Sequence, residues 1–89
     1  MKKIIATTKF RKDYKRYRNQ PDKIAKLHAV VKMLEEGKQI SLYLKPHQLT
    51  GEYKGCLECH IENDLLLIWM DYPTNTISLI RFGTHSELF

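Results

Sequence analysis

The chain has 89 residues, the size of one domain spanning 1–89. A domain this small buries only about 60–65% of the surface its unfolded chain exposes, so a deep ligand cavity would take up much of its core, and a shallow groove for a polymer fits better. The formal charge of +5 is unevenly spread: residues 1–28 carry ten Lys or Arg against Asp13 and Asp22, a net of +8, while residues 29–89 are net −3. The basic part reads as a surface for phosphates or for an acidic partner. The longest apolar run, Leu65 to Met70, is far too short to cross a membrane. No signal peptide is visible in Met1 to Thr8. A soluble, cytoplasmic protein without a membrane partner is expected.

Ile4 to Thr7 is a short strand candidate, and Thr8 is placed to cap the helix that follows. Phe10, Tyr14 and Tyr17 form one apolar stripe on a helix otherwise crowded with Lys and Arg. That stripe reads as core. Lys9, Arg11, Lys12, Lys15, Arg16 and Arg18 on the remaining faces are the expected grip on RNA. Asn19-Gln20-Pro21 breaks the helix and Pro21 opens the next one. Ile24, Leu27, Val30, Val31 and Leu34 give its buried stripe, and Gly37 stops it. His28 lies beside the stripe and is assigned no chemistry. The two helices should form a hairpin.

From Lys38 to Lys54 there is little regular signal, and so long a connection in so small a domain points to function. Three strands follow, at Cys56–Glu62, Leu65–Asp71 and Thr76–Phe82. The turn at Glu62-Asn63-Asp64 offers Asn63 for a positive φ, and Pro73-Thr74-Asn75 makes the second turn. A period of two sets Leu57, Cys59 and Ile61 on one face and Glu58 and His60 on the other. Leu65 to Met70 is apolar on both faces and reads as the central strand. The fold class is therefore α+β: an N-terminal helical hairpin packed on one face of a small antiparallel β-sheet, the face with His60 left for a substrate or partner. Cys56 and Cys59 form a Cys-x-x-Cys, but three residues along a strand their sulfurs diverge, and no second pair completes a zinc set. Two reduced thiols, and no metal or other cofactor, are expected.

His47, His60 and His85 lie where loops meet strands or the chain end. Imidazole exchanges protons near neutral pH. RNA needs no cofactor to be cut, because its 2′-hydroxyl attacks the adjacent phosphate once that proton is taken, the leaving oxygen is protonated and the phosphorane charge is balanced. Two imidazoles can share the proton work, with Asp64 orienting one or accepting the proton itself. Arg81 can bind a phosphate oxygen, and Phe89 can stack on a base. Blander readings stand beside each role: His47 satisfying a loop backbone, Asp64 as a plain turn residue, Arg81 paired with Glu58 or Glu87. A three-histidine zinc site also fits the composition.

Thr8-Lys9-Phe10-Arg11-Lys12-Asp13-Tyr14-Lys15-Arg16, His47-Gln48-Leu49-Thr50-Gly51, Glu58-Cys59-His60-Ile61 with Asp64, and Gly83-Thr84-His85-Ser86-Glu87-Leu88-Phe89 resemble, in order and spacing, the YafQ branch of the RelE/ParE toxin superfamily. The resemblance implies a RelE-like fold and a bacterial type II toxin, an mRNA interferase that cuts messenger RNA in the A site of the 70S ribosome without a metal. It implies an active site of His47, His60, Asp64 and His85, with Phe89 contributing and Arg81 directed at the scissile phosphate. It also implies a cognate antitoxin that wraps and neutralises the toxin, and operator DNA as a partner only through that complex. Leu57 stands where many members have arginine, Cys56 where an aromatic is usual, and Leu65 where tryptophan is frequent at the substrate. These departures keep a second class of function open, a toxin fold without chemistry: a ParE-like gyrase inhibitor or an antitoxin-binding corepressor.

Overall fold

Thr7 starts the first helix. Its Oγ1 accepts the Phe10 N–H at 3.0 Å and donates to the Ile80 carbonyl at 2.7 Å, so one hydroxyl caps the helix and pins it to the sheet. The cap is one residue earlier than expected, and Thr8 is the first helical residue. The computed structural model describes residues 1–89. It contains β1 (Lys3–Ala6), α1 (Thr8–Tyr17), α2 (Pro21–Glu35), β2 (His47–Gln48), β3 (Leu57–Glu62), β4 (Leu65–Tyr72), β5 (Thr76–Gly83) and α3 (His85–Leu88). No helix is long and apolar enough to cross a membrane.

The sheet has the order β1-β5-β4-β3-β2, with the apolar β4 at its centre. The α+β layering is the one the sequence predicts. One pair departs from antiparallel: β1 runs parallel to β5, which makes the sheet mixed. Its connection to the rest of the sheet is the helical hairpin itself, the crossover a parallel neighbour requires. Between Lys38 and Lys54, where little regular signal is visible, lie the two-residue strand β2 and 3-10 turns at Leu42–Leu44 and Gly51–Tyr53.

Both turns of the meander differ in detail from expectation. Asn63 keeps a negative φ, and the positive φ falls at Asn75. The register of β3 against β4 instead shifts between His60 and Glu62. Such a bulge adds the twist that a turn with ordinary dihedrals does not supply.

Two clusters hold the layers. On the helix side, Phe10, Tyr17, Leu27, Val30 and Leu34 pack against Cys59, Ile61, Leu65, Leu67, Trp69, Ile77, Leu79 and Phe82. On the other side, Cys56, Leu66, Ile68 and Leu88 form a smaller cluster beneath Leu49, Tyr53, Met70 and Ile80. Cys56 and Cys59 thus lie on opposite faces, both free. Burial pushes the Cys56 thiol up, and burial followed by the charge of Glu58 pushes Cys59 up to about 12. Both are thiols, not thiolates, at neutral pH.

One buried charge interrupts this interior. Asp13, 2% exposed, lies on the face of α1 shared by Phe10 and Tyr17. Parallel pairing with β1 ends at Leu79. Beyond that point a second bulge, between Ile68 and Trp69 in the β4–β5 register, leaves Ile80 unpaired. Asp13 completes this bare edge. Its Oδ2 accepts the Phe82 N–H at 3.0 Å and Arg81 Nε at 2.7 Å, and its Oδ1 accepts Arg81 Nη2 at 3.1 Å. Removing one partner of a buried pair leaves the other uncompensated. Asp13→Ala should therefore cost about 3 kcal/mol, the low end for such pairs because Arg81 keeps some solvent contact. Urea unfolding measures it; a loss within the scatter of surface substitutions would show that the carboxylate is not holding the β5 edge.

Candidate functional site

Strand pairing brings the three histidines into a row. His47 begins β2 and is the direct cross-strand neighbour of Glu58 on β3. His60 lies two residues further along β3, and His85 opens α3 beyond the end of β5. The ring centroids of His47 and His60 are 6.4 Å apart, those of His60 and His85 6.3 Å. Phe89 continues the row, 5.5 Å from His85. A shallow trough of about 320 Å³ opens beside His60, lined also by Tyr43, Leu44 and Lys45.

Each imidazole has its own fixing contact. His60 Nδ1 lies 3.3 Å from the Asn63 carbonyl, which can only accept, so Nδ1 is the donor there and Nε2 makes no hydrogen bond within the protein. Asp64 Oδ1 accepts the backbone N–H of His85 at 3.1 Å and stands 3.5 Å from its Nδ1. One carboxylate thus fixes the residue's backbone and lies close to its ring. His47 is held at both nitrogens: Nδ1 is 2.8 Å from the Lys45 carbonyl and Nε2 is 3.2 Å from Glu58 Oε1.

Glu58 is a residue the sequence reading missed. Period two sets it on the polar face beside His60, but β2 covers it, and it is 2% exposed with Oε2 unpartnered.

Arg81 binds neither Glu58 nor Glu87. Asp13 grips two of its nitrogens, and Nη1 donates to the Tyr53 hydroxyl at 3.3 Å. Those hydrogen bonds, led by Asp13, raise the guanidinium above its already high range. Two of its five N–H groups stay free for a phosphate. Tyr53 donates in turn to the Leu88 carbonyl at 3.3 Å and stands edge-on to Phe89, with centroids 5.5 Å apart. It lies in the long connection, where no pattern marks it. Asp13 did carry a signal: it sits three residues after Phe10 and four before Tyr17, on the apolar stripe.

Other expected site residues separate into two groups. Lys9, Arg11, Lys12, Lys15 and Arg18 stand exposed along α1 and its C-cap, and none forms a salt bridge. Arg16, expected among them, pairs instead with Glu87 Oε2 at 3.0 Å. Leu65, expected at the substrate, is 2% exposed in the main cluster and cannot touch RNA without unfolding β4. His28 stacks on Tyr14 and hydrogen-bonds its hydroxyl at 3.0 Å, away from the row. No group of three or more His, Cys, Asp or Glu converges closely enough to hold a metal ion.

The profile of a family described as "Bacterial toxin of type II toxin-antitoxin system, YafQ" matches residues 2–89. No curated protein matches the chain. Among solved structures, a metal-bound toxin from Helicobacter pylori is 37% identical, with full coverage of both chains and a TM-score of 0.90. YafQ from E. coli strain BL21(DE3) is 26% identical over 100% of this chain and 99% of its own, with a TM-score of 0.89. The E. coli DinJ-YafQ complex gives 27% identity over 100% of this chain and 99% of the matched chain, with a TM-score of 0.86.

The segment that carries His85 is tied to α1 by the Tyr17 hydroxyl, which donates to Glu87 Oε1. Burial first, then the Glu87 carboxylate, push Tyr17 up to about 12. The fold favours the neutral phenol, so this contribution is complete below the unfolded value near pH 10 and is lost as pH rises towards 12. The margin in melting temperature of the wild type over Tyr17→Phe should therefore shrink from pH 10 to 12. A margin independent of pH would mean that the phenol titrates as it does in the unfolded chain.

Proposed function

Because the chain belongs to the YafQ family of bacterial type II toxins, we propose that it is an mRNA interferase: a metal-independent endoribonuclease that cleaves messenger RNA in the ribosomal A site. The observation that carries this reading is the histidine row with a carboxylate at each end, Glu58 on His47 and Asp64 on His85. In-line attack by a 2′-hydroxyl needs a base on one side of the phosphorus and an acid on the other. A row of imidazoles supplies both from one surface.

His60 and His85 are suited to exchange protons with RNA, since Nε2 of His60 and the edge of His85 away from Asp64 are uncommitted. His47, beside Glu58, stands next to His60 in the row. Arg81, already clamped in position, balances the phosphorane charge with its free N–H groups at no further cost in ordering. Phe89, 58% exposed, gives a base a ring to stack on. The nucleophile belongs to the substrate, so no metal is needed to generate it.

The exposed cations of α1 complete the reading as contacts to the RNA phosphates of the ribosome. Their attraction falls with salt. The relative solved as a DinJ-YafQ complex supports a cognate antitoxin as partner, and operator DNA is reached only through that complex. Translating ribosomes place the protein's action in the cytoplasm.

The test is cleavage of a defined mRNA by antitoxin-free protein, with and without programmed ribosomes, mapped to the nucleotide. Wild-type protein should cut only with ribosomes, in frame, and undiminished by a chelator. His85→Ala should keep the fold and lose about 10²–10⁴-fold in rate, the usual worth of a positioned acid or base. Folded wild-type protein that makes no cut would overturn the reading and direct attention to gyrase inhibition or operator binding with the antitoxin.

A further inference from the structure

Glu87 has no part in the chemistry described above, yet it is the most heavily engaged carboxylate at the end of the chain. Its Oε1 accepts the Thr84 N–H at 2.8 Å, while Thr84 Oγ1 accepts the Glu87 N–H at 3.3 Å, a complete capping box. The same Oε1 accepts the Tyr17 hydroxyl, and Oε2 pairs with Arg16. Room for this is made by Gly83: a Cβ there would lie 2.7 Å from Glu87 Oε1. Gly83, Thr84 and Glu87 in the terminal motif are thus parts of one device. They build the turn and join it to α1.

We propose that Glu87 is a positioning residue for the site: through Tyr17 and Arg16 it locks α3 to α1 and so aims His85 and Phe89. This rests on the RNA-cleaving reading. The physical need is plain. A four-residue helix at a chain end frays, because one turn does not repay the cost of its nucleation. Four ties hold it: burial of Leu88, the Tyr53 hydroxyl on the Leu88 carbonyl, the Asp64 carboxylate on the His85 N–H, and Glu87. Leu88 fixes depth and Asp64 fixes the first residue. None of the first three ties joins the turn to a helix, and a tie to a helix is what resists rotation of the turn about its own axis, which would swing His85 out of line with His60. Glu87 supplies it, since it joins the opposite side of the turn to a rigid helix. Burial alone would raise the Glu87 carboxyl. The hydrogen bonds from Tyr17 and Thr84 and the charge of Arg16 outweigh it, so Glu87 stays ionised well below neutrality.

The experiment compares Glu87→Ala and Glu87→Gln with the wild type in two readouts. In the free protein, NMR follows the imidazole of His85 and the ring of Phe89. In the ribosome assay, kcat and KM are separated. Glu87→Ala should shift both rings, leave the resonances of His28 in place, and lower kcat up to about a hundredfold, as for a reactive group displaced by about 1 Å. KM should change less, because every exposed cation of α1 other than Arg16 is untouched. Glu87→Gln should recover most of kcat, since an amide oxygen still accepts from Tyr17 and Thr84. Unmoved rings in folded Glu87→Ala would overturn the proposal, as would moved rings with unchanged kcat. If Glu87→Ala does not fold, Arg16→Gln, which cuts only the exposed half of the lock, replaces it and must show the same shift in smaller degree. Wild-type protein without cleavage would sink the RNase reading alone, because the NMR comparison tests the lock without it.

Discussion

The Asp13 carboxylate is the constraint on which the functional end of the molecule depends. It lies where three structural problems meet: β1 has ended, β5 has bulged, and the Phe82 N–H faces no strand. A buried backbone donor without a partner costs about 1–3 kcal/mol, so something must fill that edge. Asp13 fills it and clamps Arg81 with the same two oxygens. A hydrophobic pair could give as much stability. It could not give a guanidinium of fixed orientation near the end of β5. The residues that follow, Gly83 to Phe89, start from the strand end that Asp13 secures.

The two faces of the sheet divide the work. The helix side is thick and apolar, and Leu67, Cys59 and Phe82 are fully buried there. The opposite side has a thin cluster of four buried residues, and the histidine row stands at its rim. Glu58 is buried there with one carboxylate oxygen unpaired. The second cluster also explains why Leu88 matters: it is the one apolar residue that holds the terminal turn on the sheet.

Period and punctuation make the fold legible wherever burial is one-sided. The stripes of α1 and α2, the doubly apolar β4 and the alternation of β3 all follow from side-chain direction, which sequence spacing fixes. What spacing does not contain is pairing at a distance. β1 lies beside β5 only because the hairpin returns it there, and β2 is two residues long, recognisable only against β3. The site divides the same way. His47, His60, Asp64 and His85 are visible as residue types in loops and strand ends. Glu58 reads as a solvated neighbour because the strand that covers it is invisible, and Arg81 is offered the wrong carboxylates because its partner lies 68 residues away. Asp13 was within reach: a charge on the buried stripe of an amphipathic helix needs a cation, and the only arginine beyond residue 18 is Arg81.

The three departures from the family pattern bear on whether the chemistry survives in this chain. Leu65 is sealed in the main core, Leu57 packs against that core from the strand edge, and Cys56 belongs to the second cluster. All three side chains face the interior. Changes of this kind alter packing, and cores accept exchanges among apolar residues of suitable volume at small cost. A toxin decaying into a mere antitoxin-binding partner would be expected to lose the groups that are costly to keep: the unpaired Glu58 carboxylate, the clamped arginine, the exposed terminal phenylalanine. In this chain the departures fall on packing positions, and Glu58, Arg81 and Phe89 are present.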